Sequence, residues 1–226
     1  MAQTVVTDSS DGCRQIGGQR PDTSLPPGLD ARDAWQRAFA RGAEFTCTIT
    51  PTLALRVRVA GDTSLPSLDS IVVFEGAAPR PLQVLRLDGG SEVPSPETSH
   101  PLRAVDLDAD GSADLMLGTS WGATGNVAYA VWRFDPRAHR FAADSALSSM
   151  FNPAPVPGRA CVRTFSNGSA VDDDAGLYCL RAGRWILDSL ESHRWNRDAH
   201  SVIHEISARR GDSLVVLRHD VQPDSL

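Results

Sequence analysis

The chain has 226 residues, with 22 basic and 28 acidic side chains for a net charge of −6, and 41% hydrophobic and 6% aromatic residues. At ~100 to 200 residues per domain this length makes one large domain or two small ones and allows a real core, which excludes a disordered tail protein. Every cation is Arg, there is no Lys, and Asp outnumbers Glu 22 to 6; a surface so short of clustered cations excludes nucleic acid as a partner, while the Asp excess suits hard-cation chemistry.

The start, Met1-Ala2-Gln3-Thr4, lacks the charged and apolar regions of a signal peptide and reads as an initiator Met placed before a mature exported product. No run of ~18 apolar residues occurs, so no transmembrane helix is expected. Residues 1 to 28, rich in Gly, Pro, Ser and Asp and closed by Pro26-Pro27-Gly28, read as an extended arm pinned by Cys13. A helix is predicted over Asp30 to Arg41, where Ala31, Ala34, Trp35, Ala38 and Phe39 recur at helical spacing and Gly42 follows as a stop. Residues 1–43 therefore form an arm and short helix, and 44–226 one domain.

From residue 44 the pattern turns to strands. Segments 44 to 60, 69 to 75 and 81 to 87 carry β-branched and apolar runs separated by Gly61-Asp62, Gly76-Ala77 and Gly89-Gly90. Hairpins are expected for 127 to 134 with 140 to 143, 160 to 165 with 177 to 181, and 201 to 208 with 213 to 219, joined by Asp-Pro, Asn-Gly and Gly-Asp turns. Short strands at regular turn spacing, with almost no helix, give the fold class: all-β, an antiparallel, propeller-like meander.

The four cysteines, Cys13, Cys47, Cys161 and Cys179, form no CxxC pair, which disfavours zinc and redox motifs and suits two disulfides in an oxidising compartment. Of the three connectivities, 13 with 47 and 161 with 179 keeps each pair within one local segment; the alternative is four buried free thiols.

The sharpest motif is Asp106-Leu107-Asp108-Ala109-Asp110-Gly111-Ser112-Ala113-Asp114. Carboxylates at alternate positions and Gly at the sixth let a tight loop curl Asp106, Asp108, Asp110, the Ser112 carbonyl and Asp114 around one Ca2+ ion. It is not an EF-hand: Leu117 stands where the bidentate Glu would be, and the flanks look like strands. A strand-loop-strand site with few charged ligands belongs to the weak extracellular range, about 10⁻⁴ to 10⁻³ M. Beyond it, the Gly-rich stretch Gly118 to Asn126 carries Trp121, which reads equally as an interface anchor and as a ring folded back over the core. Tyr129 alternates with Val127 and Val131 as a core-facing strand residue would.

Other signals carry less. Asp172-Asp173-Asp174 reads as a solvated loop, because adjacent carboxylates do not all face one ion. The six His residues sit in no nucleophile or metalloprotease signature, so no enzyme activity is expected, and Arg-Gly-Asp at 210 to 212 is explained by a hairpin turn.

The stretch from Val105 to Phe165, with VDLDADGSADLMLG followed by GATGNVAYAVWRFDPRAHRF and an Asn-Pro segment, resembles the calcium-binding periplasmic immunity proteins of Xanthomonas-type bacteria. The resemblance implies a lysozyme-inhibitor-like periplasmic protein, a monomer when free, that protects the cell from peptidoglycan-hydrolase effectors of the type IV secretion system. It carries the metal role onto Asp106, Asp108, Asp110, Ser112 and Asp114. It also implies a loop inserted into the hydrolase active site. Lysozyme inhibitors use a Ser-Gly segment followed by Tyr, and Thr124-Gly125-Asn126 with Tyr129, beside Trp121, is similar, with Thr replacing Ser. A polar loop of this kind can hydrogen-bond the catalytic carboxylates of a glycosidase while excluding its substrate. The competing reading is a calcium-dependent adhesion or carbohydrate-binding module without inhibitory activity.

Overall fold

A computed structural model describes residues 12–16, 42–62, 67–92, 101–169 and 171–223. The predicted arm and the helix over Asp30 to Arg41 lie outside the described residues, apart from Gly12 to Ile16.

Local pairing builds everything else. A five-stranded sheet contains β1 (Cys13–Ile16), β2 (Glu44–Thr50), β3 (Leu53–Asp62), β4 (Ser67–Glu75) and β5 (Gln83–Glu92). A four-stranded sheet follows with β6 (Leu102–Val105), β7 (Asp114–Trp121), β8 (Val127–Asp135) and β9 (Arg140–Ala143). After the short helix α1 (Ser145–Ser148) comes a six-stranded sheet of β10 (Ala154–Val156), β11 (Arg159–Asn167), β12 (Asp173–Arg181), β13 (Arg184–Asn196), β14 (Ser201–Arg210) and β15 (Ser213–Pro223). In each sheet the spatial order is the chain order, so the fold is the all-β antiparallel meander expected.

The chain divides into two compact units. The first holds the five-stranded sheet and most of the four-stranded one; the second holds the six-stranded sheet and the hairpin tip Trp121–Tyr129. Residues 44 to 226, read above as one domain, thus contribute to both.

Within the first unit, strand alternation makes the core. Phe45, Cys47 and Ile49 on β2 and Leu55, Val57 and Val59 on β3 point to one face. They join Leu68, Ile71, Val73, Leu115, Leu117, Trp132, Phe134 and Phe141 in a single buried cluster shared by both sheets. Gln83 ties the sheets further, its amide donating to the Phe141 carbonyl at 2.8 Å while its oxygen accepts the Phe141 N–H at 2.9 Å.

Register also decides the cysteines. Cys13 stands opposite Cys47, and Cys161 opposite Cys179. Both pairs are disulfides, with Cα atoms 4.0 Å apart, and no described cysteine is free.

Three of the sequence boundaries change. The segment 44 to 60 is two strands, because Pro51 removes an N–H and Thr50 closes a turn by accepting the Leu53 N–H at 3.1 Å. Gly61-Asp62 and Gly89-Gly90 lie inside β3 and β5 rather than in turns. At Gly61 the register against β4 shifts, and an added Cβ would come within 1.9 Å of the Ser67 carbonyl oxygen, so the backbones meet where only glycine fits. The third change is β13, a strand the sequence pattern did not suggest.

Gly61→Ala is expected to lower stability by about 1–3 kcal/mol through that clash, read as a lower midpoint in chemical denaturation with the slope unchanged.

Candidate functional site

The loop from Asp106 to Asp114 joins β6 to β7, whose pairing sets Val105 opposite Asp114 and so brings both ends of the loop together. Between them the backbone curls through two left-handed residues, Ala109 with φ 58° and Gly111 with φ 88°. Gly111 adopts that conformation at no steric cost, whereas Ala109 carries a small penalty that the loop closure sustains. The result is convergence. A carboxylate oxygen from each of Asp106, Asp108 and Asp114 lies within 4.8 Å of the other two.

The three are held differently. Asp114 is buried at 1% exposure, and its Oδ1 accepts the backbone N–H of Phe134 at 2.9 Å, which fixes its carboxylate against β8. An Oδ1 sequestered from solvent marks Asp106 as the inner wall of the loop. Asp108 Oδ1 accepts the Asp110 N–H at 3.3 Å. Asp110 itself is exposed at the loop tip and stands outside the converging group, while Ser112 is buried at 4% exposure. Three hard oxygen donors with like charge at this separation repel one another and attract a divalent cation. The donor set fits Ca2+ or Mg2+ rather than a softer ion, with carbonyl and water oxygens to complete six to eight ligands.

The residues read from sequence as a partner-binding loop sit at the tip of the β7–β8 hairpin. Trp121 ends β7 half-buried, Gly122 to Gly125 are exposed, and Tyr129 is half-buried within β8. The turn is built by backbone bonds from Gly122 N–H to the Asn126 carbonyl at 2.8 Å and from Gly125 N–H to the Gly122 carbonyl at 3.0 Å. Asn126 is structural here, since its side chain donates to the Asn167 carbonyl at 2.9 Å and accepts the Asn167 N–H at 2.8 Å. Asn167 answers by donating to the Thr124 carbonyl at 2.8 Å. Asn152 completes the clamp, accepting the Val127 N–H at 3.1 Å and donating to the Phe165 carbonyl at 2.9 Å. Side-chain amides here add to a few backbone bonds.

Sequence reasoning missed the apolar part of this surface. Phe151 and Phe165 are each 42% exposed. Phe151 bridges to Ala128, and its carbonyl accepts the Phe165 N–H at 3.3 Å. An open depression of about 450 Å³ lies beside Phe151, lined with it by Asn126, Ser166, Asn167, Asp174 and Arg194; Phe165, opposite Ala175, is on the other face of the sheet. Neither Phe stands in a motif, and nothing in the local pattern says that a strand aromatic faces water.

The run Asp172 to Asp174 is not a solvated loop. Asp174 pairs with Arg194 through two bonds of 2.6 and 2.7 Å, and Asp173 meets His193 Nδ1 at 3.0 Å. Asp172 accepts the Trp195 N–H at 2.6 Å and the Ser169 hydroxyl at 2.7 Å. The Trp195 amide first, then the Ser169 hydroxyl, hold the Asp172 carboxyl below its ordinary value of 3.8.

Comparison with known proteins shows the fold alone. No family model and no curated protein matches the chain. A Xanthomonas type IV secretion system related protein shares the fold. That solved structure superposes with a TM-score of 0.55 at 16% identity, covering 77% of this chain and 93% of its own. Two disulfides are consistent with an oxidising, extracytoplasmic setting. No helix among the described residues is long and apolar enough to cross a membrane.

Asp114→Ala should cost about 1–3 kcal/mol even in chelator, because it strands the buried Phe134 N–H; thermal melts with and without chelator check it. For Asp172 the depressed carboxyl stabilises the fold above its unfolded value and loses that contribution as pH falls through the folded value. Asp172→Asn should therefore flatten the acid limb of stability below about pH 4, measured by denaturation across pH.

Proposed function

We propose that the protein is a calcium-stabilised periplasmic immunity protein that inhibits a lysozyme-like peptidoglycan hydrolase effector by binding rather than by chemistry of its own. The observation that carries this reading is the meeting of three carboxylates in the loop before β7 on a fold shared with a type IV secretion system related protein. Asp106, Asp108 and Asp114 would hold the ion, which supplies charge neutralisation and a rigid start to β7. That strand runs on to Trp121, where the exposed turn Gly122 to Gly125 begins. A stiff turn loses less entropy on docking than a mobile one.

The contact surface in this reading is the hairpin tip with Phe151. Thr124 offers its hydroxyl to the catalytic carboxylates of a glycosidase, which must stay accessible to work. An exposed aromatic ring beside a polar turn suits a binding hot spot. The net charge of −6 steers the inhibitor toward a basic cell-wall hydrolase, with an on-rate that falls as salt rises. The exposed ring of Phe151 also suits a calcium-dependent carbohydrate-binding module, which would bind glycan without inhibiting any hydrolase.

The test is inhibition of lysozyme-like muramidases by the purified protein, with calcium and with chelator. Inhibition at micromolar concentration is expected, weakened about tenfold or more by Phe151→Ala or Thr124→Arg without a change in melting temperature. Failure against every such hydrolase, with glycan binding intact, overturns the immunity reading. For the ion, 1 mM calcium should stabilise the protein by about 0.4–1.4 kcal/mol at the affinity expected above. Asp108→Ala should remove that gain and Asp110→Ala should remove less of it.

A further inference from the structure

The geometry points to a second metal site, of the zinc class, on one face of the six-stranded sheet, formed by Glu191, His193 and His204. One ligand atom from each lies within 4.8 Å of the other two. Register creates this group. His193 on β13 stands directly opposite His204 on β14, and their rings stack with centroids 4.5 Å apart and planes within 14°, the separation that neighbouring strands impose. Glu191 lies two residues before His193 on the same strand and therefore on the same face. Its Oε1 meets His204 Nε2 at 2.8 Å.

The outer strands complete the arrangement. Asp173 on β12 is opposite His193, and Asp220 on β15 is opposite His204, so one row reads Asp173, His193, His204, Asp220 across four strands. Asp173 Oδ1 meets His193 Nδ1 at 3.0 Å. That bond fixes the tautomer with the proton on Nδ1 and leaves Nε2 as the basic nitrogen, the carboxylate–histidine pairing that orients metal-ligating imidazoles. Asp220 lies 3.9 Å from His204 Nδ1 and is itself paired with Arg218, which takes up its charge. Two carboxylates, those of Glu191 and Asp173, thus face the histidines directly.

Two imidazoles and one carboxylate form the donor set of zinc sites that keep an open position for water or another ligand, and hard Ca2+ does not compete for imidazole nitrogen. In a tetrahedral site the ligand atoms stand about 3.3 Å apart, from metal–nitrogen distances near 2.0–2.1 Å. Glu191 and His204 would open from their hydrogen bond, which costs little because the Glu191 side chain is 48% exposed, and one imidazole would turn out of the stack so that both in-plane lone pairs meet at the ion. Neighbouring rows on the same face place Trp195 and Val202 to one side and Ala175 and Ile206 to the other. Such an apolar border strengthens binding by limiting water access. The site is independent of the carboxylate loop, and it does not depend on the immunity reading.

Calorimetric titration of the metal-free protein with Zn2+ tests it, with Co2+ absorption as a second readout. The expected result is one equivalent of Zn2+ bound, the visible bands of a four-coordinate Co2+ site, and no change in either when Asp108→Ala removes the calcium loop. His193→Ala and His204→Ala should each abolish binding, and Asp173→Asn should weaken it about 10–100-fold by loosening the His193 ring. Metal-free melts of these variants separate lost ligation from lost folding, and His204→Gln serves if the alanine variant unfolds. No Zn2+ binding, or binding retained in folded variants of both histidines, overturns the site.

Discussion

Antiparallel register is the constraint on which this structure rests. In a meander each strand pairs with the next, so a residue's cross-strand neighbour is set by turn length and by bulges, and its face by parity. Slipping one residue would turn Phe45, Cys47 and Ile49 away from the core and part Cys13 from Cys47. The same rule that closes the disulfides therefore seats the hydrophobic core. It also brings two histidines face to face on a surface where neither has any local reason to meet the other.

What could be read from the sequence follows from the same rule. Hairpins with short Gly, Asp or Pro turns were legible, as β8 with β9, β11 with β12 and β14 with β15 show, because the signal lies within a few consecutive residues. The carboxylate motif was legible for the same reason: its residues are contiguous. Which of its carboxylates meet was not, since the backbone path through left-handed Ala109 and Gly111, rather than spacing, sets Asp110 at the tip apart from Asp106, Asp108 and Asp114. Gly61 misled because glycine marks both turns and close backbone approach, and Gly89-Gly90 because they fall where the register of β5 against β4 is irregular.

The strand β13 was hidden by its own irregularity. Against β12 the register shifts between Leu177 and Tyr178, leaving Asp188 as an extra residue. Before that bulge Trp185 and Leu187 share one face; after it Ser189, Glu191 and His193 do, and a period-2 pattern read straight through breaks at Asp188. Without β13 there is no row from Asp173 to Asp220. Six scattered histidines then look like ordinary surface residues, although Glu191 two places before His193 was the trace the sequence carried.

The two units hold themselves together by different means. In the first, side chains such as Leu55, Val57, Leu115 and Phe141 are essentially inaccessible, so burial dominates. In the second, the buried apolar side chains among the described residues are few, such as Leu107, Leu147, Cys161, Val162 and Cys179, while Leu214 to Leu217 and Val221 on β15 remain exposed. There the order comes from a disulfide closing an 18-residue separation, worth about 3 kcal/mol on chain-entropy grounds. The Asn126, Asn152 and Asn167 clamp and the charged pairs of β12 with β13 add to it. Polar and cross-linked scaffolding of this kind leaves apolar groups at the surface without collapsing them. An edge strand as apolar as β15 would otherwise invite self-association. It is interrupted by a register shift at Leu217, by the Arg218–Asp220 pair and by Pro223, devices that blunt an edge against a further strand while keeping its side chains on display.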